Sequence, residues 1–288
     1  MNLKIKKELN DVTQENTTTF SSPKDIFKAR LTVSDKRCPT HDIELVSAFG
    51  RGPICIECKR LGLEERENKL VSDILEEQNK INTYNWLERH SIYLDQTLKN
   101  VSFDNYKTDD VETKSNKDKS LNIAREYYQG ATYNTIFTGK PGTGKSHLAM
   151  SMLKIVNEDS KPYKKCLFVS IDEVMRKIKD GFNKRDSMYT EEYVTNLLTS
   201  ADLLVIDDLG AETGAISSEK QATDFTTRVL YSIMNGRMNK PTIITTNLTS
   251  KEMAKMYDQK LISRFLRGAE GHTISFKETK DKRISIEF

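Results

Sequence analysis

The sequence predicts an α/β protein: a parallel sheet flanked by helices over residues 98–288, preceded by a small cysteine-bearing module and a helical linker. Three observations carry that expectation. Short β-rich runs alternate with helical patterns through the C-terminal two thirds, a glycine-rich turn joins one of those strands to the helix after it, and a second apolar strand ends on paired carboxylates. Strands that alternate with helices need crossover connections, and crossovers put helices on both faces of a parallel sheet.

A chain of 288 residues can bury one sizeable core and a small accessory domain. With 36% hydrophobic and 30% charged residues it reads as a helix-rich, water-soluble chain. No apolar run approaches the ~20 residues of a membrane span, so no membrane partner is expected. The first twenty residues, MNLKIKKELNDVTQENTTTF, hold no apolar core of a secretory signal, and a cytoplasmic location is expected. A net charge of +3 neither demands nor excludes nucleic acid, because a local basic face can sit within a balanced total. There are no internal repeats.

Residues 1–34 lack periodicity, and the first twenty or so read as flexible. Residues 35–60 hold the cysteine cluster. From Leu61 to about His90, Leu63, Leu70, Ile74, Ile81 and Trp86 or Leu87 recur at helical spacing among many charges. Residues 61–97 therefore read as a helical linker, most simply a connecting arm. Lys107–Ser120 is polar and loop-like, and leads into a helix at Leu121–Tyr128. A strand at Thr135–Thr138 precedes a helix at Ser146–Val156 that turns Leu148, Met152, Ile155 and Val156 inward. Cys166–Ser170 is the next strand. Ser170 and Glu173 have capping-box spacing and open a helix that stops near Gly181. Leu203–Ile206 is a third strand. Glu219–Asn235 is a strong helix with Ala222, Phe225, Val229, Leu230 and Ile233 inward and Gly236 as its stop. Thr242–Thr246 and Thr273–Phe276 complete the set.

The glycine-rich turn is Gly139-Lys140-Pro141-Gly142-Thr143-Gly144-Lys145-Ser146, a match to G-x-x-x-x-G-K-[ST] between strand and helix. Such a P-loop curls its backbone so that successive N–H groups face phosphate oxygens, and the helix adds its positive end. ATP is the expected ligand. Lys145 is read as a solvent-facing lysine that reaches the β- and γ-phosphates, and the Ser146 hydroxyl as a Mg²⁺ ligand. The strand LLVI delivers Asp207 and Asp208. Asp207 is expected to hold Mg²⁺ and Asp208 to polarise the attacking water, although either acid could cap the turn that follows. TIITT delivers Asn247, which can orient water beside the γ-phosphate or can be a turn residue.

Cys38-x₂-His41 and Cys55-x₂-Cys58, 13 residues apart, make a Cys₃His set in two knuckles. Four ligands at that spacing suit tetrahedral Zn²⁺ in a closed, structural site, with Gly50, Gly52 and Pro53 turning the chain before the second knuckle. The alternative is a group of unrelated reduced cysteines. Cys166 lies in an apolar strand and reads as core. His90 and His272 read as surface or packing residues.

Gly139–Ser146 followed by His147-Leu-Ala, the LLVIDDLG run, TIITTNL, LISRFLRG and the upstream NVSFDNYK together resemble a AAA+ ATPase. More narrowly, they resemble DnaC/DnaI-type helicase loaders and the related IstB transposition ATPases. The resemblance implies an ATPase that loads a replicative helicase onto single-stranded DNA, in a bacterial or phage-infected cell, and that assembles into a homo-oligomer when ATP-bound. It also implies a role for His147 at the nucleotide. An arginine is expected to reach the neighbouring subunit's nucleotide; Arg264 matches that position, with Arg267 second. Lys154, Arg176, Lys177, Lys179, Lys184 and Arg185, with Phe182 among them, are candidates for single-strand contact. A solvated basic face explains the same residues. Where many AAA+ proteins carry Asp-Glu, this chain has Asp207-Asp208, which suits slow turnover. A transposition helper and an ATP-binding adapter with little turnover remain the alternatives.

Overall fold

The computed structural model describes residues 32–47, 52–182, 184, 186–213 and 222–282. The expected flexible first twenty residues, Gly50, Arg185 and the start of the Glu219 helix lie outside them. The described residues fall into two compact units, one ending at Leu75 and the other beginning at Glu76.

In the first unit, β1 (Thr32–Arg37) and β2 (Glu44–Ser47) form an antiparallel hairpin. Residues 32–34, expected to be part of the flexible segment, are thus strand. The loop between them carries Cys38 and His41, and Asp42 closes it in the left-handed region at φ 49°. Helix α1 (Ile56–Asn79) buries no residue. Its stripe of Leu63, Leu70 and Ile74 stays more than half exposed, so α1 owes its helicity to local propensity and charge pairs such as Arg60 with Glu57 and Glu64.

The second unit begins well before residue 98. Helix α2 (Trp86–His90) buries Leu87, and Ile92 trades backbone hydrogen bonds with Phe168 and Ser170. The linker expectation fails here for a physical reason: the segment covers a sheet edge that would otherwise present unpaired amides. Helix α3 spans Val111–Tyr128, so most of the stretch read as loop is helical. Asp110 caps it, with Thr113 bonding back to form a capping box. Its inward face begins with Thr113, Asn116 and Ser120, polar residues that satisfy themselves locally or on β7 (Thr273–Phe276); Asn116 donates to the Ser275 carbonyl at 3.0 Å. A hydrophobic pattern cannot see such a face.

The sheet contains β3 (Thr135–Gly139), β4 (Cys166–Ser170), β5 (Leu203–Leu209), β6 (Thr242–Thr246) and β7 in the order β4-β5-β6-β3-β7, all parallel. Alternate residues serve opposite faces. Leu167, Val169, Leu204, Ile206 and Ile244 meet α5 (Ile171–Gly181), α6 (Glu191–Ser200) and α7 (Asp224–Gly236), together with residues from α8 (Ser250–Met256) and α9 (Gln259–Phe265). Phe137, Phe168, Leu203, Val205 and Ile243 meet α2, α3 and α4 (Lys145–Asp159). This is the α/β fold expected, with helix α6 unforeseen. The Ser170–Glu173 capping box is absent: the Ser170 side chain makes no cap bond, and the Glu173 carboxylate is held by Arg176 at 2.6 Å instead.

Strand order positions the site. Because β6 lies between β3 and β5, the loop after β3 and the acids of β5 flank the end of β6 along one edge of the sheet, at the carboxyl ends of the strands.

Candidate nucleotide site and a metal-ligand cluster

The turn after β3 is shaped by its glycines. Gly139 and Gly142 adopt φ of 150° and 75°, and a Cβ on Gly139 would fall 2.6 Å from the Phe276 carbonyl oxygen. Only glycine fits there. Thr143 is buried beneath the turn with its hydroxyl donating to the Lys140 carbonyl at 3.0 Å. Gly144 ends the turn in the left-handed region and α4 starts at Lys145.

Lys145 is not solvent-facing as read from the sequence; it is 6% exposed. Its Nζ donates to the carbonyls of Gly139 and Lys140 at 2.8 and 2.7 Å and to Asn247 Oδ1 at 2.8 Å. The curl of the loop turns those carbonyls inward, so the ammonium is caged before any phosphate arrives. Asn247 Nδ2 in turn donates to Asp208 Oδ1 at 2.7 Å. Lysine, amide and carboxylate therefore form one continuous chain.

Asp207 and Asp208 are split by a local irregularity. The β5–β6 register shifts between Ile206 and Leu209, and Asp208 takes φ 59°. A bulge of this kind re-aims a side chain at a strand end. Thr245 stabilises it from both sides, accepting from the Asp208 amide at 2.9 Å and donating to Asp207 Oδ1 at 2.7 Å. Burial pushes the Asp207 carboxyl above the usual range and nearby Asp208 adds to that, against hydrogen bonds from Thr245 and Ser146. A buried carboxylate beside a second acid and a serine hydroxyl is a hard oxygen donor set of the kind Mg²⁺ takes.

Around these groups lies a cavity of about 470 Å³. Pro141, Gly142, Gly144, Lys145, Ser146, His147, Asp207, Asp208 and Asn247 line it, while the candidates Gly139, Lys140 and Thr143 do not. Other lining residues had no role assigned from the sequence, among them Ser170, Thr245, Tyr106 and Lys282. His147 Nε2 donates to the Ser102 carbonyl at 2.8 Å, and the ring lies edge-on to Tyr106. Burial holds the His147 imidazole below its ordinary value, so it is neutral at pH 7. Thr245 could have been suspected from TIITTN, where polar threonines occupy a fully buried strand. Tyr106 lies in the NVSFDNYK run that carries part of the resemblance, with no role assigned to it there, and Lys282 had no local signal.

No arginine lines the cavity among the described residues. Arg264 lies on α9, its guanidinium 4.2 Å from the centre of the Tyr231 ring and bonded to Tyr231, Asn235 and the Lys260 carbonyl. Arg267 is committed elsewhere, to the carbonyls of Thr132 and Lys240. Of the single-strand candidates, Arg176, Lys177 and Lys184 line one shallow pocket on and after α5. Lys154 donates to the Lys99 and Val101 carbonyls, away from the rest. Arg176 and Lys177 pair with Glu173. Phe182 is 62% exposed and packs edge-on to Phe225.

In the first unit, one ligand atom from each of Cys38, His41, Cys55 and Cys58 lies within 4.8 Å of the others. The His41 Nδ1 is 3.7, 3.6 and 3.3 Å from the three sulfurs, and Cys38 Sγ is 3.6 Å from Cys58 Sγ. Tetrahedral zinc with Zn–S of ~2.3 Å and Zn–N of ~2.1 Å puts its ligand atoms roughly 3.6–3.8 Å apart, so the set fits that ion. The Thr40 and His41 amides lower the Cys38 thiol to about 6, favouring the thiolate.

The profile of the IstB-like ATP binding protein family matches residues 60–272. The replicative helicase loader DnaC of Escherichia coli strain K12 is 33% identical over 174 residues, which is 59% of this chain and 64% of that protein. The chain thus spans a little under two thirds of that relative's length. DnaC of Buchnera aphidicola subsp. Acyrthosiphon pisum (strain APS) is 28% identical over 211 residues, 72% of this chain and 80% of the relative. Among solved structures, that of DnaI is 17% identical with a TM-score of 0.49, covering 65% of this chain and 96% of the other. Among the described residues no helix is long and apolar enough to cross a membrane.

Proposed function

This chain belongs to the IstB-like ATP-binding protein family, a AAA+ group, and within it we propose an ATPase that loads a replicative helicase onto single-stranded DNA. The observation that carries the ATPase reading is the continuous contact from Lys145 through Asn247 to Asp208 along the wall of one cavity. The reaction follows from those contacts. Loop amides hold the phosphates, and Lys145 exchanges the Gly139 and Lys140 carbonyls for phosphate oxygens. Asn247 then senses whether its lysine has moved, and holds Asp208 where the carboxylate orients the attacking water and takes its proton. Ser146 and Asp207 are the residues that would hold Mg²⁺, which supplies charge neutralisation at the phosphates when bound. Arg264 we assign to the neighbouring subunit's γ-phosphate in an ATP-bound homo-oligomer. The absence of an arginine from the described cavity lining supports that assignment.

The loader reading is supported by the relatives named as replicative helicase loaders. The partner is a hexameric replicative helicase. The Cys38, His41, Cys55 and Cys58 cluster holds one structural Zn²⁺, and Lys177, Lys179 and Lys184 with Phe182 on and after α5 are the proposed single-strand contacts. The test is ATP hydrolysis by the full chain with and without single-stranded DNA, together with co-elution against a hexameric replicative helicase. Mg²⁺-dependent hydrolysis and a stable helicase complex are expected. A complex with a transposase and none with helicase would favour the transposition helper, and nucleotide binding without any hydrolysis would favour the adapter.

A further inference from the structure

Tyr106 sits in the wall of the nucleotide cavity, only 5% exposed, and its hydroxyl has no hydrogen-bond partner among the described residues. Three other buried side-chain atoms are left in that position, on Trp86, Asn157 and Ser160, and none of those residues lines the cavity. A buried, unsatisfied hydroxyl is costly, and native proteins keep few of them without a reason. Burial and the nearby Asp110, Asp109 and Glu112 push the Tyr106 phenol well above its ordinary value, so it is a proton donor at any physiological pH. The ring is pressed against the phosphate-holding turn: a Cβ on Gly144 would fall 2.9 Å from Tyr106 Cε2 and 3.2 Å from its hydroxyl oxygen.

The segment after β7 also reaches that ring. Lys282 Nζ lies 4.5 Å from the Tyr106 ring centre and 3.8 Å from Asp109, and also donates to the Lys107 carbonyl. The Lys282 amide donates to the Gly142 carbonyl at 3.0 Å, and Asp281 fills the space that a Cβ on Gly142 would need. This strap is latched by one side chain. The Glu112 carboxylate, at the start of α3, accepts from the amides of Lys277, Glu278 and Thr279 at 2.7, 3.1 and 2.8 Å and from the Thr279 hydroxyl. An ammonium is thus carried across the chain to the phosphate loop and parked on an aromatic face, a contact that an anion can outbid.

We propose that Tyr106 and Lys282 are nucleotide ligands: the Tyr106 hydroxyl donates to a diphosphate oxygen, and Lys282 turns from the Tyr106 ring to the same diphosphate. Glu112 is the positioning residue that holds the strap in reach. The proposal rests on the reading of this cavity as an ATP site, and deepens it by adding a contact from outside the P-loop that is shared by ATP and ADP.

The experiment measures ADP and ATP affinity, and the melting temperature of the nucleotide-free protein, for the full chain and for Tyr106→Phe and Lys282→Ala. Tyr106→Phe removes only the orphaned oxygen. It is expected to weaken both nucleotides by roughly tenfold, the value of one hydrogen bond to a charged group, while the nucleotide-free protein melts at the same or a higher temperature. Lys282→Ala is expected to weaken both nucleotides severalfold. Affinity and stability moving in opposite or independent directions is the signature, since a packing role would lower both together. Wild-type affinity in both variants overturns the inference while leaving the ATP site standing. A loss confined to ATP overturns the diphosphate assignment. If the wild-type chain binds neither nucleotide, the ATP reading fails and takes this inference with it.

Discussion

The two candidate sites of this chain are built on opposite principles. The Cys38, His41, Cys55 and Cys58 cluster draws its ligands from 21 consecutive positions, and among the described residues around it only Cys38 and Cys55 are buried while β1 and α1 are almost wholly exposed. The nucleotide site draws Tyr106, Lys145, Asp207, Asn247 and Lys282 from the length of the second unit, onto a sheet with two buried layers beneath it. In the first, spacing brings the four side chains together with little core beneath them, so that any bound metal would supply most of the folding energy. In the second, a core supplies the folding energy and topology creates the site.

Metal removal probes that contrast most strongly. Zinc bound by four such ligands is worth about 10 kcal/mol or more, which a hairpin without a core cannot replace. Chelation, or Cys58→Ser, is therefore expected to abolish hydrogen-exchange protection over residues 32–60 and to leave ATP affinity within about twofold. Elemental analysis should find one metal per chain before chelation. Unchanged protection after the metal is gone would place the folding energy elsewhere.

The nucleotide site is expected to be completed by a second copy. Arg264→Ala should bind ATP as the wild type does and hydrolyse it roughly 10³-fold more slowly. Mixed with Lys145→Ala, it should recover part of the activity, because each variant retains the half-site that the other lacks. Two variants that never complement would confine catalysis to one chain.

A smaller effect separates stability from chemistry at Asp207. Burial raises its carboxyl above the ordinary range, so over the window between the ordinary and the raised value the folded state keeps a proton that the unfolded chain has lost. The stabilisation is full below the ordinary value and is lost as pH rises through the raised one. Asp207→Asn removes the buried charge. The nucleotide-free variant is expected to melt higher than wild type at pH 7, with the gap narrowing on acidification, and to lose hydrolysis. A variant that melts lower at neutral pH would mean that the carboxylate is compensated within the protein.

The same contrast explains what could be read in advance. Strands at Cys166–Ser170 and Thr242–Thr246 lie where the β-rich runs put them, because strands buried on both faces are continuous apolar or β-branched runs. The curl of the glycine-rich turn and the convergence of Cys38, His41, Cys55 and Cys58 were legible because both are encoded in short spacings. The first ten residues of α3 were not, since Thr113, Asn116 and Ser120 pack inward as polar groups. Nor was the caging of Lys145, which depends on carbonyls turned by the loop and on Asn247 arriving from β6. Tyr106 and Lys282 meet through contacts far apart in sequence, among them the Glu112 latch, 165 residues from Lys277.

The measurement that bears most directly on the loader account is the deposition of a hexameric replicative helicase on single-stranded DNA circles, with ATP, by the wild-type chain and by Lys145→Ala. Because Lys145 is buried and hydrogen-bonded to Gly139, Lys140 and Asn247, the variant is first shown to be folded at the assay temperature. The expected result is helicase on DNA with the wild type and at least tenfold less with the variant. Equal loading by a folded Lys145→Ala, or none by the wild type, would contradict the account.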